Sequence, residues 1–546
     1  MPIGYPDELL HSITSPNVAV GIEELTGDTN DWTLRLDRGC SRTVVTEPGM
    51  MRQAGGSMIA RSTDKPEVVR AKLRLDPDPT RVIARSFIPS GEGRVKAVVD
   101  RVLAMSDGQV SKTLARVMLD FNARHRNVRT LFARHFGNVA HEFDQEAELS
   151  HERRLLIGAY FTSEYSVESV ALFNPSMVAH PDQRGLLDGE KRFLLSLRAC
   201  GEGHVSSIEF RSGVVDTAGR ITLDPTSPFA FRAKPVDAKL YEKHPFFLKL
   251  LEMGAYSTTA RSVLDDLDDH FTLADLSRAV EAHHVANGGA GGFEPAAEAL
   301  LWLAHSNYHL HFPVDTDMSE RVIFPVTENE SRGIEDARFV RFTYDNGRVV
   351  YYATYAAYNG FQALPQFIET SDFIHFKIIT LNGRCAQNKG MALFPRKIDG
   401  KYMMIARLDG ESLHLLASEN VHFWNRHELL DVPAQPWELM QLGNCGSPIE
   451  TDAGWLLLTH GVGPMRRYCI GAILLDLDNP HKVIGRVVDP ILEPIEGERD
   501  GYVPNVVYTC GAMVHGDLLI IPYAICDTAT SFATVGLPDL LAHMLG

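Results

Sequence analysis

Arg332-Gly333-Ile334-Glu335-Asp336-Ala337-Arg338 is the stretch of this 546-residue chain with the densest reactive chemistry. Two adjacent carboxylates lie between two arginines, and neighbouring charges of this kind push carboxyl pKa values apart. One of the pair could keep its proton and serve as a general acid. Gly333 would let backbone or substrate approach closely. The same seven residues would also make an ordinary solvated charge cluster. The heptad therefore needs support from elsewhere in the chain.

That support comes from polar residues closing long apolar runs. Arg192-Phe193-Leu194-Leu195-Ser196-Leu197-Arg198 ends in a cation, and further apolar runs end at Tyr355, Arg407, His460 and the stretch from Tyr523 to Asp527. A strand held by burial has no packing reason to end in a charge. Any one of them could simply mark a strand reaching solvent. Five equivalents argue for convergence on a pocket, where Arg198, Lys389, Arg407 and His460 would supply local positive potential.

The elements positioning them repeat. An apolar strand, a glycine turn and a second apolar strand recur around Gly189, Gly347, Gly400, Gly454 and Gly516, the pattern of a β-hairpin. Three of the four spacings are 53, 54 and 62 residues, near the period of a propeller blade, while the first is 158. Helical sequence fills that excess. Thr272-Leu273-Ala274-Asp275 reads as a capping box, Glu298 to Ala304 as another helix, and the glycines of 287–292 as a linker lacking the Lys-Ser/Thr of a phosphate loop. Residues 65 to about 147 read as helical, with Leu114, Val117, Met118 and Phe121 on one face. Arg124, Arg126, Arg129 and Arg134 read as a solvated face of that region.

The expected fold is mainly β, a five-bladed β-propeller with an α-helical N-terminal region and a helical insertion after the first blade. The expected domains are 1–150 (N-terminal, largely helical), 151–238 (first blade), 239–305 (helical insertion) and 306–546 (remaining blades).

Composition narrows the partners. The formal net charge of −17 opposes binding to nucleic acid or anionic membranes, though not a local site for a small anion. No apolar run approaches a membrane span, and Met1-Pro2-Ile3-Gly4 opens no signal-peptide pattern, so a cytoplasmic protein is expected. Seven cysteines without a Cys-x-x-Cys pair suggest reduced thiols and no metal site.

Gly333-Ile334-Glu335-Asp336-Ala337-Arg338 resembles the Gly-hydrophobic-Glu-Asp-Pro-Arg signature of glycoside hydrolase family 130, which contains β-mannoside phosphorylases and β-mannosidases. Leu172-Phe173-Asn174-Pro175, Leu393-Phe394-Pro395-Arg396-Lys397-Ile398, His460-Gly461-Val462 and Val503-Pro504-Asn505 are similar to further family elements. The resemblance implies Asp336 as the catalytic acid, its proton passing through a sugar hydroxyl, with Glu335 and Arg338 in support. It implies sugar contacts from Asn174, Arg198 and Asp527. Around inorganic phosphate it implies Lys389, Arg407, His460 and Tyr468. No cofactor is implied, only phosphate as co-substrate and a β-mannoside oligosaccharide or glycoconjugate as substrate. For the N-terminal region, shaping the acceptor side of the pocket and mediating a homo-oligomer are the candidate roles.

Two departures bear on the reaction. Ala337 replaces the usual proline, and Gln441 stands where the resemblance leads one to expect a lysine, which weakens a phosphate site unless Arg466 or Arg467 compensates. Phosphorolysis needs one acid and several cations. Inverting hydrolysis needs a second carboxylate about 6.5–9.5 Å away to activate water, for which Glu450, Asp452 and Glu498 are candidates. Phosphorolysis is the leading expectation, a β-mannosidase the alternative, and a non-catalytic glycan- or protein-binding propeller the third reading.

Overall fold

The computed structural model describes residues 65–91, 93–142, 149–236, 240–252, 255–286, 293–360 and 363–546. Within them the chain is mainly β, with thirty strands and nine α-helices. The glycine-rich 287–292 connector, the first 64 residues and Cys40 lie outside the described residues.

Each glycine turn joins a pair of antiparallel strands. Gly189, Gly347, Gly400, Gly454 and Gly516 all adopt positive φ, between 56° and 143°, which glycine reaches without a Cβ clash. The hairpins grow into five strand groups. The first holds Ala171–Ala179, Lys191–Cys200 and Ser206–Val215; the second holds Gly333–Thr343, Val349–Tyr358, Ala363–Thr370 and His375–Thr380. These two are joined into one sheet by a parallel pair, Gly333 opposite Ser206, while Arg321–Ile323 pairs along the first group. The third holds Ala392–Leu393, Tyr402–Ala406, Leu413–Ser418 and Arg426–Asp431. The fourth holds Gln441–Asn444, Gly454–Val462, Tyr468–Leu475 and Val483–Arg486. The fifth holds Val507–Tyr508, Leu518–Ile525, Ala529–Gly536 and Val68–Leu75.

The inner strands, such as Lys191–Cys200, Val349–Tyr358, Tyr402–Ala406, Gly454–Val462 and Leu518–Ile525, are largely buried on both faces because neighbouring sheets pack against them. Leu194 and Phe210 of the first group meet Phe339 and Tyr351 of the second. Phe342 and Tyr352 meet Leu393 and Met404, and Ile405 and Leu415 meet Trp455 and Leu457. Leu456 and Leu458 meet Leu519 and Ile521. Ile520 and Phe532 of the fifth group return to Leu172 and Leu195 of the first, and the Leu172 amide donates to the Thr528 carbonyl at 2.9 Å.

The helical reading of 65 to about 147 needs correction at its start. Val68–Leu75 and Val82–Ser86 are strands. Ala71, Leu73 and Leu75 alternate with Lys72 and Arg74, a period of two that buries one face against the fifth group. Beyond them, Arg94–Leu103, Asp107–Phe121, Val128–Gly137 and His151–Tyr160 are helices. Leu114 is buried, with Val117, Met118 and Phe121 against the same cluster. Arg126, Arg129 and Arg134 are exposed, as expected of a solvated face, while Arg124 is half-buried; Arg124 pairs with Glu164 at 2.8 Å and Arg126 with Glu320 at 2.6 Å.

The insertion carries four helices, Lys243–Glu252, Thr258–Asp265, Leu273–Ala286 and Phe293–His305, around their own apolar cluster. Thr272 caps the third, accepting from the Asp275 amide at 3.2 Å while the Asp275 carboxylate accepts from the Thr272 amide at 2.8 Å. Among the described residues no helix is long and apolar enough to cross a membrane.

Candidate active site

Two interruptions of the strand ladders aim polar side chains inward. Pairing of Ala171–Ala179 with Lys191–Cys200 shifts between Phe173 and Ser176, and pairing of Gly333–Thr343 with Val349–Tyr358 shifts between Glu335 and Arg338. At these bulges Asn174 and Asp336 take left-handed φ of 49° and 53°, and Asp527 takes 50° in the turn after Leu518–Ile525. Left-handed backbone at a non-glycine residue is strained, and bulges commonly re-aim side chains beside active sites. All three side chains line one cavity of about 230 Å³.

Its wall includes all ten residues singled out from the sequence: Asp336, Glu335, Arg338, Asn174, Arg198, Asp527, Lys389, Arg407, His460 and Tyr468. Of the five polar strand ends, Tyr355 is the one that leads elsewhere. Its hydroxyl donates to buried Glu330 at 2.6 Å, under the second group. Tyr523 is likewise spent on Glu498, at 2.6 Å, leaving Asp527 to face the cavity.

Around Asp336, Asn174 Nδ2 donates to Oδ1 at 2.6 Å and an Arg198 nitrogen lies 3.5 Å from the same oxygen. Burial alone would raise this carboxyl. The Arg198 and Arg338 guanidiniums, the Asn174 amide and Lys389 together override burial and hold it below the usual carboxylate range. Glu335 takes a 2.8 Å hydrogen bond from Arg198 and one from Lys389, so Lys389 is engaged with a carboxylate. Arg338 donates to the Cys445 carbonyl (3.0 Å), the Asp336 carbonyl (3.0 Å) and the Tyr508 hydroxyl (2.7 Å), fixing the strand beneath the acid.

The two carboxyls whose pKa values are driven apart are Asp336 and Asp527, a pairing different from the adjacent Glu335 and Asp336 expected from the heptad. Burial first, then the Asp336 charge, push Asp527 up to about 6.

Arg407 and His460 form a second cluster. Arg407 lies 3.1 Å and the Gln441 amide nitrogen 3.0 Å from His460 Nε2. Burial, with Arg407 and Arg338 beside it, drives the imidazole well below its ordinary value, so His460 is neutral and adds no positive charge. Tyr468 stacks on its ring at 6.0 Å. Gly443 is required here: a Cβ would sit 2.4 Å from the imidazole and 3.1 Å from Arg407.

Buried polar atoms without partners are costly, and here they cluster. Asn174 Oδ1, Arg198 Nε, Arg407 Nε, His460 Nδ1 and both amide atoms of Asn444 lack hydrogen-bond partners, and all belong to cavity-lining residues. The five cations Arg198, Arg338, Lys389, Arg407 and Arg466 face three carboxylates, Glu335, Asp336 and Asp527. Ionised, the wall carries an excess of two positive charges, the complement of a small dianion beside a hydroxyl-rich ligand.

Residues 308–544 match the family model described as beta-1,4-mannooligosaccharide phosphorylase. A 1,2-beta-oligomannan phosphorylase of Thermoanaerobacter sp. (strain X514) is 36% identical over 221 residues, spanning 39% of this chain and 72% of that protein. The chain belongs to glycoside hydrolase family 130. A beta-1,2-mannobiose phosphorylase of Listeria innocua serovar 6a is 31% identical over 254 residues, 45% of this chain and 69% of that protein. A solved structure of the beta-1,2-mannobiose phosphorylase from Listeria innocua, in complex with beta-1,2-mannobiose, superposes with a TM-score of 0.42 at 22% identity, covering 70% of this chain and 93% of the other.

Within this family-130 site, sequence reasoning missed Asn444 and Tyr508. Asn444 follows the Leu442-Gly443 pair and could have been read as a strand-end polar residue. Tyr508 sits in the apolar run Val506-Val507-Tyr508, and only its hydroxyl contact with Arg338 reveals it. The candidate hydrolytic bases are elsewhere: Glu450 is paired with Arg396 at 2.6 Å, Glu498 is engaged by Tyr523 and Arg70, and neither they nor Asp452 line the cavity.

Proposed function

We propose that this chain cleaves β-mannosidic bonds by inverting phosphorolysis, releasing α-mannose 1-phosphate. The observation carrying this reading is the cavity's excess of two positive charges beside a single acid cluster. Phosphate, already an anionic nucleophile, needs cations to gather it and no base to activate it. The mannoside phosphorylases among the relatives agree with this choice. Hydrolysis lacks support, since none of the three candidate bases reaches the cavity.

Asn174, Arg198 and Asp527 hold the reacting sugar, the unpaired Asn174 Oδ1 and Arg198 Nε meeting its hydroxyls. Asp336 gives a proton to a sugar hydroxyl, which passes its own to the departing glycosidic oxygen, so that the sugar leaves as a neutral alcohol. Arg407, oriented by neutral His460, faces phosphate, with Tyr468 closing the wall and Lys389 holding Glu335. Phosphate attacks the anomeric carbon from the opposite side, so one displacement inverts it.

We read the supporting architecture as a five-bladed propeller formed by 151–238 and 306–546 and joined at its fifth blade by Val68–Leu75 of the 1–150 region, with 239–305 inserted. The cyclic order of the five apolar interfaces supports this.

The test is Asp336→Asn. Removing a general acid costs about 10²–10⁴ in rate. Phosphorolysis of β-1,2-mannobiose is expected to fall by at least that much, while circular dichroism and the thermal transition stay those of a folded protein. Retention of near wild-type turnover would remove Asp336 from the chemistry.

A further inference from the structure

We propose that Arg466 is a phosphate-binding residue that acts together with Arg407 to hold the nucleophile, an inference that rests on the phosphorolysis reading above. The cations of the cavity differ in how far their charge is already spent. Arg198 and Lys389 are bound to Glu335, and Arg338 uses all three of its nitrogens on Cys445, Asp336 and Tyr508. Arg407 contacts only a neutral imidazole and keeps an unpartnered Nε. Arg466 makes no ion pair or hydrogen bond among the described residues. Its one contact is its guanidinium over the Tyr468 ring, 5.7 Å from the centroid. Two cations thus face the cavity without a carboxylate partner, matching the two charges of phosphate.

The backbone explains how an exposed turn delivers this side chain. Gly463 to Arg467 connects Gly454–Val462 to Tyr468–Leu475, and both Met465 and Arg466 take left-handed φ, 57° and 54°. Consecutive non-glycine residues in that region are strained and persist where surrounding contacts fix them, typically at functional sites. Here the Gly463 amide donates to the Arg467 carbonyl at 3.0 Å, while Arg467 is anchored outward on Glu493 and the Pro494 carbonyl, both at 3.1 Å. The twist turns Met465 out to solvent, 91% exposed, and sends Arg466 to the cavity wall. Gln441, which approaches the same His460 nitrogen as Arg407, is uncharged and adds no further cation there.

A competing role is charge compensation, since Arg466 also opposes the rise of the Asp527 carboxyl. Steady-state kinetics separate the two. Inorganic phosphate is varied at saturating β-mannoside, and β-mannoside at saturating phosphate, for wild type, Arg466→Ala and Arg466→Lys. Losing a hydrogen bond to a charged group predicts a phosphate KM raised about ten- to hundredfold in Arg466→Ala, with the mannoside KM within about twofold of wild type. Arg466→Lys recovers part of the loss. A phosphate KM within about twofold of wild type in Arg466→Ala overturns the assignment, as does an equal rise in the mannoside KM. A wild type that turns over β-mannoside without phosphate overturns the parent reading and this inference with it.

Discussion

The chemistry turns on a pair of carboxyls with opposed environments. Four basic or donor groups keep Asp336 below the ordinary range, whereas Asp527, buried beside it, is pushed up to about 6. The sign of the linkage follows. A carboxyl raised in the folded state binds more protons there than in the unfolded chain, so its contribution to stability falls as pH rises from about 4 to about 6. Asp527→Asn removes that penalty. The variant is expected to gain up to about 3 kcal/mol over wild type above pH 6.5 and nothing below pH 4, in denaturant titrations across this range. An equal difference at both ends would show that Asp527 is not the titrating group. The individual site residues were legible in the sequence wherever a polar side chain ends an apolar run, as Arg198, Arg407 and His460 do. The Asp336–Asp527 coupling was not, because 191 residues separate them and only the packing of the fifth group against the first two brings them to one cavity.

At the scale of elements, what matters is how the strands are held to one another and bent. The bulges at Asn174 and Asp336 convert two apolar strands into carriers of polar groups, something period-two patterning does not reveal. The hairpins themselves were readable from glycine turns and apolar runs. Val68–Leu75 was also readable, as alternation, but lay next to strongly helical sequence and was assigned with it. A buried ionic cluster binds this early segment to the first sheet: Arg81 donates to Glu168 at 2.6 Å and Glu209 at 2.7 Å, and Arg211 reaches the same two carboxylates. Arg81 is 1% exposed, and both glutamates are fully buried. Removing one member of a buried ion cluster leaves uncompensated charge and costs about 3–5 kcal/mol. Arg81→Met is expected to lose stability on that scale in chemical denaturation followed by tryptophan fluorescence. A loss under about 1 kcal/mol would mean the cluster relaxes or neutralises by proton uptake.

For the molecule as a whole, the formal charge of −17 misdescribes the site, since five cations are gathered on the wall of one cavity. Their sequence separation is large and their convergence depends on the cyclic order of the apolar interfaces, so composition could exclude polyanionic partners yet say little about a small anion. The central claim is that phosphate, and not water, is the nucleophile. ³¹P NMR of the purified protein with β-1,2- or β-1,4-mannobiose and inorganic phosphate tests it most directly. The expected result is loss of the phosphate signal in step with the appearance of α-mannose 1-phosphate and one equivalent of free sugar, with no turnover of either disaccharide when phosphate is omitted. Release of mannose at the same rate without phosphate, and no sugar phosphate with it, would contradict the account.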